Sequence, residues 1–582
     1  MKGLIRRVTV TVVLWSVCSI AMAKSTITLD GEHLSIDQAW SIALGDNDVK
    51  IAAKALDRME KSYDLVMTAA HSGTPVYGLT VGVGLNKDQP IFDAKGNLTP
   101  EVIDASKKFN AAALRAHSAG VGPMLPDYLA RLSMVLRLNT MLHGQTGAQP
   151  YIAELYAEFI NRGVTPLIPA RGSIGAADIM LASHVGLVMM GEWKARVNGV
   201  QMSGGDALAK VGLKPLVPQG KDMLAILSNN SVGTAYAIEA VRSARQLLNV
   251  SPVVFAMSLE ALNGNVAPVL PQSIAVRPFP QLADSAKEIR DALNGSYLWH
   301  KDDKRALQDP LSFRTTVYTI AESVRALHDA EEVITVQINS SDDNPATVLN
   351  ADKAYQDSSQ VAQYFVKDGA VSGGIFPTAN FESLPVALAT QRLTVALVHV
   401  SHNSMRRSLH LEDEHFTGLT RFLSAPGNKG HGFGSLHIPF VALHAENVDL
   451  ANPVSFDIQP VAGGIEDTGA NNDHAARRLK QVVDNLNVIY GIELMHSAQA
   501  LDLRLQAAPQ LALGKSTKAM FTEYRKSRAF CRPGSGLYPR YCSFAKILRR
   551  ICYKSKIKFL LIVYHNIHRY DDCYQFNNLH LT

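Results

Sequence analysis

Long stretches of the sequence place apolar residues three and four positions apart, which is the spacing of one face of an α-helix. Helices of this length reach across a whole domain, and few segments alternate with the period of two that a half-buried strand would show. The chain is therefore predicted to be mostly α-helical, with a large helical body and no linker inside it. The longest such stretches are Ser231–Gln272, Ser312–Asn339, Leu384–His410 and Ala475–Ala508.

The composition is that of a globular protein. Of 582 residues, 47% are hydrophobic and 19% are charged, which excludes a disordered chain. The length exceeds what a single ordinary core requires.

The N-terminus has the three parts of a secretory signal peptide. A basic start precedes an apolar run over residues 8–20, and a small-residue cleavage site ends at Ala23. The segment from Lys24 to Phe530 contains no cysteine, which suits an exported protein that folds on a large core alone. We predict a signal peptide over residues 1–23, a periplasmic or secreted mature protein, and no membrane anchor after cleavage.

Residues 525–582 differ from the rest of the chain. They hold four of the five cysteines, 12 of the 57 Lys and Arg residues, and 2 of the 52 acidic residues. Without this tail and the signal peptide the body carries 42 basic against 50 acidic residues, so the overall charge of +5 does not indicate nucleic-acid binding. A basic tail can bind nucleic acid or membranes, but the abrupt change of composition favours out-of-frame translation. We predict one unit over residues 24–524 and an aberrant tail over 525–582.

The segment from Pro169 to Trp193 carries the most specific motif. A turn of small residues, Gly172-Ser173-Ile174-Gly175, leads through Ala176-Ala177-Asp178 into an apolar helix. A helix N-terminus presents unpaired N–H groups and a positive dipole end, which suit an anionic or electron-accepting group. The segment resembles that of the aromatic amino acid ammonia-lyases, the histidine and phenylalanine ammonia-lyases, in which Gly-Ser-(Val/Ile)-Gly is followed by Ala-Ser-Gly-Asp-Leu.

The resemblance breaks at the residues that matter most in that family. The Ala-Ser-Gly tripeptide of the family cyclises and dehydrates to the electrophile methylidene-imidazolone. Here the serine is missing and the segment is one residue shorter. We therefore expect no methylidene-imidazolone and no other cofactor, and we interpret Ala176, Ala177 and Asp178 as a pocket floor without an electrophile.

A glycine-rich loop supplies a candidate base. The sequence from Tyr77 to Gly84 resembles the family loop Tyr-Gly-x-Asn-Thr-Gly-x-Gly, whose tyrosine takes the β-proton of the substrate; Thr80 and Val81 replace the Asn and Thr. A phenol works as a base only where its pKa falls. The alternatives are a packing tyrosine, and a phosphate cradle that no Lys-Ser/Thr pair supports.

Further partial matches follow in family order and imply a substrate site. Glu446 resembles the glutamate that meets the substrate amine. Arg314 would bind the substrate carboxylate bidentately, with an interhelix salt bridge as its alternative. The other implied substrate-binding residues are His117, Ser228 in place of the family asparagine, the adjacent Asn229, Gln308, Asn344 and Phe381.

Other polar positions favour structural roles. Arg137 and Asn139 match a family helix and are expected to fix its packing. The run Asn471-Asn472-Asp473-His474 resembles Asn-Gln-Glu-Asp-His with the glutamate lost. His399 and His402 can share a helix face, but no third ligand follows at a recognisable spacing, so we expect no metal site.

The resemblance implies an all-α fold with a long central helix bundle of the ammonia-lyase (fumarase/aspartase-like) type, and active sites shared among the subunits of a homotetramer. It implies a carbon–nitrogen lyase that eliminates an amine from a histidine-like or other aromatic amino acid to give an aryl acrylate such as urocanate. Our leading hypothesis is the ergothionase-like branch, in which the substrate is a betaine that releases trimethylamine. In that case Glu446, Asp178 or Glu382 would face the permanent cation. The alternatives are a methylidene-imidazolone-dependent histidine ammonia-lyase and a non-catalytic periplasmic binding protein for an aromatic amino acid.

Overall fold

The computed structural model describes residues 24–72, 74–91, 100–366, 370–428, 431–456 and 458–527. The predicted signal peptide and most of the predicted tail lie outside these residues. The described chain is mostly helical, as the apolar spacing predicted. Its helices are α1 Ile36–Leu44, α2 Ala53–His71, α3 Pro100–His117, α4 Asp127–Leu142, α5 Pro150–Arg162, α6 Ile179–Met189, α7 Gly204–Val211, α8 Asp222–Leu227, α9 Ser231–Leu262, α10 Pro271–Ala275, α11 Leu282–Ala292, α12 Leu311–Arg314, α13 Thr316–Ile338, α14 Ser359–Ala362, α15 Leu384–Leu411, α16 Glu414–Thr417, α17 His437–Leu450, α18 Asn472–Ala507 and α19 Lys515–Ser527.

The described chain also contains short strands. These are β1 Ser25–Leu29, β2 Asn47–Ile51, β3 Val121–Met124, β4 Val164–Pro166, β5 Pro169–Arg171, β6 Lys194–Val197, β7 Val200–Ser203, β8 Ala346–Leu349, β9 Phe365–Val366 and β10 Gly373–Phe376. They form two pairs, β1–β2 and β3–β5, and two three-stranded sheets, in the orders β4–β6–β7 and β8–β10–β9. Among these described strands, β1 and β2 are parallel and the other pairs are antiparallel.

Four long helices, α9, α13, α15 and α18, pack side by side and form the centre of the molecule. The 32 residues of α9 correspond to a length of about 48 Å at 1.5 Å per residue. The bundle therefore has two ends that are far apart, and the loops at each end are separate regions of the protein.

A buried ion pair lies inside this bundle. The guanidinium of Arg407 on α15 contacts the carboxylate of Glu493 on α18 through two hydrogen bonds of 2.6 and 2.8 Å. Ser258 on α9 donates a third, of 2.6 Å, to the same carboxylate. Because both charged groups are almost fully buried, they depend on each other for solvation, and the pair ties three helices together.

Among the described helices, α15 is the one whose length and composition would allow it to cross a membrane. It packs against α13, α17 and α18 in the core, and this burial accounts for its apolar composition. The final described helix, α19, runs past the boundary predicted at residue 524. Arg525 of α19 pairs with Asp502 of α18 at 2.5 Å, so the body continues at least to this helix.

Candidate functional site

The floor loop, residues 172–178, joins β5 to α6 and is clamped between two long helices. The carbonyl of Ile174 accepts a 2.9 Å hydrogen bond from the backbone amide of Asn471, at the start of α18. The hydroxyl of Ser383, at the start of α15, donates to the carbonyl of Gly175 at 2.9 Å. Gly175 has a φ of +78°, and a Cβ there would lie 2.5 Å from the nitrogen of Asn471. The close approach of the loop to α18 thus requires glycine at this position.

The centre of the floor loop does not fit a methylidene-imidazolone. Ala176 forms a β-bridge with Glu382, and Ala177 is buried with a φ of +62°. Ser173 supplies the one hydroxyl of the loop. That hydroxyl accepts a hydrogen bond from the amide of Gly175, outside the tripeptide that would have to cyclise. Ala176-Ala177-Asp178 has no hydroxyl to eliminate, so no chemical step here proceeds through that group.

Asp178 faces the protein interior. One oxygen of its carboxylate accepts hydrogen bonds of 2.9 Å from the backbone amides of both Val232 and Gly233, in the first turn of α9. Burial raises the pKa of Asp178 to about 7, against hydrogen bonds from Gly233 and Ser173, and the nearby charge of Asp473 adds to the rise. Because its relative exposure is 0%, Asp178 stabilises the start of α9. That it faces a substrate cation stays a prediction.

The turn between α8 and α9 places Ser228 and Asn229 beside Asp178. The amide of Asp178 donates a 2.7 Å hydrogen bond to the carbonyl of Asn229. The side chain of Asn229 is fully buried, accepting from the amide of Ser231 and donating to the carbonyl of Ile226. Both polar atoms of this side chain are engaged within the turn, which gives Asn229 a structural role in place of the predicted contact with substrate. Ser228 is also largely buried.

The Tyr77 loop packs on α8 and is closed by its own hydrogen bonds. The phenol oxygen of Tyr77 accepts a 3.0 Å hydrogen bond from the amide of Gly84. Gly78 has a φ of +70°, and a Cβ there would lie 2.2 Å from Leu224 of α8. Thr80, which replaces the family asparagine, accepts from the amide of Val76 at 2.7 Å. The Tyr77 loop therefore lies against the six-residue helix α8, and Ser228 follows the C-terminus of that helix.

The pKa of Tyr77 is raised above its ordinary value. Burial is the largest cause, the hydrogen bond from Gly84 opposes it, and the negative charge of Glu466 adds to the rise. Glu466 is a candidate that emerges only from the folded structure; its signal in the sequence is the Gly463-Gly464 pair that precedes it and marks a turn. The ligand-free chain thus keeps the phenol protonated.

His117 ends α3 beside the floor loop. Its Nδ1 lies 2.7 Å from the carbonyl of Ala113, and its own carbonyl accepts a hydrogen bond of 3.0 Å from Ser183 of α6. The following strand β3 pairs with β5, which leads into the floor loop. The side chain is half-buried.

Two further turns meet at the start of α9. The carboxylate of Asp342 accepts a 2.9 Å hydrogen bond from the amide of Asn230, whose side chain donates to the carbonyl of Phe381 at 2.7 Å. Asn344 accepts a hydrogen bond of 2.9 Å from the amide of Thr378. Asn344 and Phe381 therefore take part in holding these turns, and their contact with substrate stays a prediction.

Arg137 has the packing role that its pattern predicted. Its guanidinium is buried and bonds to Asp342 and Asp343 at 2.9 Å each. A hydrogen bond of 2.8 Å to the carbonyl of Ala225 ties the same side chain to α8. Asn139 likewise donates to the carbonyl of Ile338. These contacts fix the end of α13 against α4 and α8.

Gln308 and Arg314 lie at the opposite end of the bundle. Arg314 donates a 2.8 Å hydrogen bond to the carbonyl of Asp309, and the carboxylate of Asp309 accepts one of 2.7 Å from the amide of Asn265. Asn265 follows the C-terminus of α9, whereas Asp178 binds its N-terminus, so about 48 Å of helix separates them. Within one chain, Arg314 and the exposed Gln308 cannot reach the floor loop.

Glu446 also lies away from the floor. It is exposed on α17, and its neighbour Asn447 accepts a 2.9 Å hydrogen bond from Asn485 of α18. Asn485 lies about 20 Å along α18 from the end that contacts the floor loop. Glu446 forms no ion pair with a described residue.

The histidine pair on α15 does not form a metal site in the part of the chain that the structure describes. No group of three or more His, Cys, Asp or Glu residues is arranged there to hold a metal ion. The ring of His402 stacks on that of His444, with 5.3 Å between their centroids. His444 also lies 3.0 Å from the hydroxyl of Ser401, so the histidines pack α15 against α17.

One protein family accounts for most of the length of this chain. The sequence profile of the family described as aromatic amino acid lyase matches residues 34–526. The chain belongs to this family. A histidine ammonia-lyase of Treponema denticola is 31% identical over 486 residues, which are 83% of this chain and 89% of that protein. Another, from Vibrio vulnificus, is 29% identical over 87% of this chain and 93% of its own length.

Solved structures agree with this assignment. An ergothionase of Treponema denticola, described as an ergothioneine-degrading enzyme and solved in complex with desmethyl-ergothioneine sulfonic acid, superposes with a TM-score of 0.81 at 34% identity. The match covers 91% of this chain and all of that one. A histidine ammonia-lyase of Trypanosoma cruzi shares the fold at a TM-score of 0.76. This aromatic amino acid lyase is therefore an all-α carbon–nitrogen lyase, consistent with the ergothionase-like branch.

Proposed function

We propose that this lyase removes trimethylamine from a betaine of a histidine-like amino acid and leaves an aryl acrylate. The observation that carries the proposal is the floor loop: it is closed by α15 and α18, and its Ala176-Ala177-Asp178 segment lacks the hydroxyl from which the electrophile would form. The carbon–nitrogen bond must then be activated by the substrate itself. A quaternary ammonium group provides this activation, because it leaves as a neutral amine and needs no proton. The similarity to an ergothionase supports the same choice.

The elimination uses the chain's own residues. The phenolate of Tyr77 takes the proton from the carbon β to the substrate carboxylate. The electron pair of that C–H bond forms the carbon–carbon double bond, and the pair of the carbon–nitrogen bond leaves with trimethylamine. Tyr77 then returns its proton to solvent. Arg314 binds the substrate carboxylate through its guanidinium.

The site would be assembled from several subunits of a homotetramer. Tyr77, His117, Ser228 and the floor loop gather near one end of the bundle, whereas Arg314 and Gln308 lie at the other. A second copy that runs antiparallel brings its Arg314 beside the first copy's Tyr77. The exposed position of Glu446 on α17 fits the same arrangement, in which it faces a substrate bound by a neighbouring copy.

We also propose that the enzyme is exported to the periplasm or secreted. The signal-peptide pattern of residues 1–23 supports this, as does the absence of cysteine between Lys24 and Phe530.

The proposal is tested on the purified chain after cleavage at Ala23. The mature protein is incubated with histidine betaine, with ergothioneine and with histidine. Trimethylamine, ammonia and the near-ultraviolet absorbance of the acrylate product are then measured. We expect trimethylamine and acrylate from a betaine, and no ammonia from histidine.

Two results would replace the proposal with one of its alternatives. Ammonia release from histidine, together with the near-ultraviolet absorbance of methylidene-imidazolone in the protein itself, would indicate an ordinary histidine ammonia-lyase. Binding of histidine or its betaine by calorimetry without any product would indicate a non-catalytic binding protein.

A further inference from the structure

A turn after α17, residues 461–466, closes over the Tyr77 loop. The amide of Val461 donates a 2.9 Å hydrogen bond to the carbonyl of Glu466, and the amide of Gly464 donates one of 2.9 Å to the carbonyl of Val461. These bonds form a compact hairpin and fix the backbone of Glu466. Its side chain is half-buried.

A chain of contacts joins this turn to the phenol of Tyr77. The phenol oxygen lies 3.0 Å from the amide of Gly84. The next residue, Leu85, lies against Gly463, where a Cβ would approach within 2.3 Å of its side chain. Gly463 has a φ of +69°, so the turn needs glycine there for two reasons, its backbone conformation and this contact. The position of Glu466 relative to Tyr77 is therefore set by packing.

The carboxylate of Glu466 is the charge that acts on Tyr77. Of the charged groups in the described chain, it is the one whose field raises the pKa of this phenol, after burial and against the hydrogen bond from Gly84. Glu466 forms no ion pair with a described residue. Tyr77 must lose its proton to act as a base. In the free enzyme the carboxylate of Glu466 opposes this step, because the phenolate and the carboxylate would be two negative charges close together.

A permanent cation between the two groups removes this conflict. It neutralises Glu466 and favours the phenolate form of Tyr77. The surroundings suit a methylated cation, because the rim of this region exposes apolar side chains: Leu85 is 63% exposed, Val461 41% and Ile465 39%. A trimethylammonium group presents methyl groups to apolar and aromatic surfaces while it keeps its positive charge.

We propose that Glu466 binds the cationic amine of the substrate beside Tyr77 and determines the preference for a quaternary amine. The inference rests on the proposed betaine substrate and names the residue that selects it. Substrate binding thereby favours the basic form of Tyr77, since the ammonium group that is to leave also stabilises the phenolate.

The first test measures binding without turnover. In a Tyr77→Phe background the full chain binds histidine betaine or histidine, and calorimetry gives the two dissociation constants. Adding Glu466→Gln should weaken the binding of histidine betaine by about tenfold. It should also reduce the ratio of the dissociation constant of histidine to that of histidine betaine. The matched control is Asp467→Asn, which neutralises the exposed acid next in the chain and should leave both constants within about twofold.

The second test uses pH, which a purely structural role would not shift in this direction. In Glu466→Gln with Tyr77 restored, loss of the neighbouring anion should move the rising limb of the kcat/KM profile, along which Tyr77 loses its proton, to lower pH, because kcat/KM reports the free enzyme. The kcat profile, which reports the complex with bound cation, should move less.

The outcomes separate this inference from the proposed function. Trimethylamine release by the wild type with unchanged binding in Glu466→Gln would overturn the role of Glu466 and keep the reaction. Betaine binding that depends on Glu466 without amine release would keep the role and overturn the reaction. Absence of betaine binding in both proteins would overturn both.

Discussion

The carbonyl oxygen of Ile174 accepts a hydrogen bond of 2.9 Å from the backbone amide of Asn471. These residues belong to the two segments that depart most from the family pattern. The floor loop is one residue shorter than the family segment and lacks its serine, and the run from Asn471 to His474 lacks the family glutamate. Two departures from the family pattern are therefore in direct contact, at the junction of the floor loop with the start of α18.

Tyr77→Phe should lower kcat by about 10²–10⁴-fold, the contribution of a positioned general base, and should leave the fold intact. The phenol oxygen accepts one hydrogen bond from Gly84, so little stability depends on it. Steady-state kinetics with a betaine substrate checks the rate, and thermal unfolding checks the fold. Tyr151→Phe, which removes one hydrogen bond to Lys214 on the surface, is the control and should retain wild-type kcat. Wild-type rates in Tyr77→Phe would show that another group is the base.

Asp178→Asn should change the pH dependence of stability. Burial raises the pKa of Asp178 to about 7, so the folded protein holds this proton while the unfolded chain releases it near pH 4. The free energy of unfolding therefore falls as pH rises from about 4 to about 7. Asparagine keeps an acceptor for Val232 and Gly233 but carries no charge.

The measurement is chemical denaturation of both proteins across this pH range. The wild type should lose stability relative to Asp178→Asn as pH rises, with the difference levelling off above about pH 7. A difference that stays constant with pH would contradict the buried position of the carboxylate. Asp178→Ala, which also removes the acceptor of two amides, should cost about 1–3 kcal/mol more than the asparagine variant.

Glu493→Ala should lower the free energy of unfolding by about 3–5 kcal/mol, because it leaves the guanidinium of Arg407 buried without a countercharge. Urea denaturation followed by circular dichroism measures the loss. Glu332→Ala removes an exposed carboxylate of α13 and should change stability by about 0.5 kcal/mol or less. Equal effects in the two variants would mean that the pair does not hold the bundle together.

Arg314→Ala and Tyr77→Phe should complement each other. Each homo-oligomer should be nearly inactive, whereas oligomers that contain both chains should regain part of the wild-type activity, because Arg314 and the floor loop lie at opposite ends of α9 and must come from different copies. Co-expression with two affinity tags isolates the mixed oligomers. The double variant, which carries both substitutions in one chain, is the control and should not be rescued by either single variant to the same extent. Failure of the mixed oligomers to regain activity would mean that Arg314 of one copy does not serve the site that contains Tyr77 of another.

The long helices were predictable from the sequence because burial of a helix face requires apolar residues at three- and four-residue intervals. Stretches predicted at Ser312–Asn339, Leu384–His410 and Ala475–Ala508 correspond to α13, α15 and α18, with ends shifted by up to four residues. The stretch predicted at Ser231–Gln272 corresponds to α9, which ends earlier, at Leu262. The buried residues of α13 and α15 recur at three- and four-residue intervals, whereas residues 489–501 of α18 are buried on every side. The exact end of the helical body was harder to predict from the sequence. Arg525 lies within the last described helix, and its ion pair with Asp502 forms only in the folded protein.

Local motifs singled out Tyr77, His117 and Phe381, and their roles toward substrate stay predictions. The structure places the Tyr77 loop against α8, His117 at the end of α3 and Phe381 beside the start of α9. The direction in which a side chain points is a tertiary property. The sequence could not show that Asp178 turns inward to the amides of α9, or that Asn229 closes its own turn. Glu466 escaped notice because its role depends on a turn packed against Tyr77.

The clamp on Gly175 also limits how this enzyme can change. A serine at position 177 would supply the missing hydroxyl, but Ala177 is buried with a left-handed backbone conformation, and the loop would still be one residue short. An inserted residue would have to displace the start of α18, since even one extra carbon at Gly175 would collide with Asn471. Forming methylidene-imidazolone in this chain would therefore require several simultaneous changes of sequence and backbone.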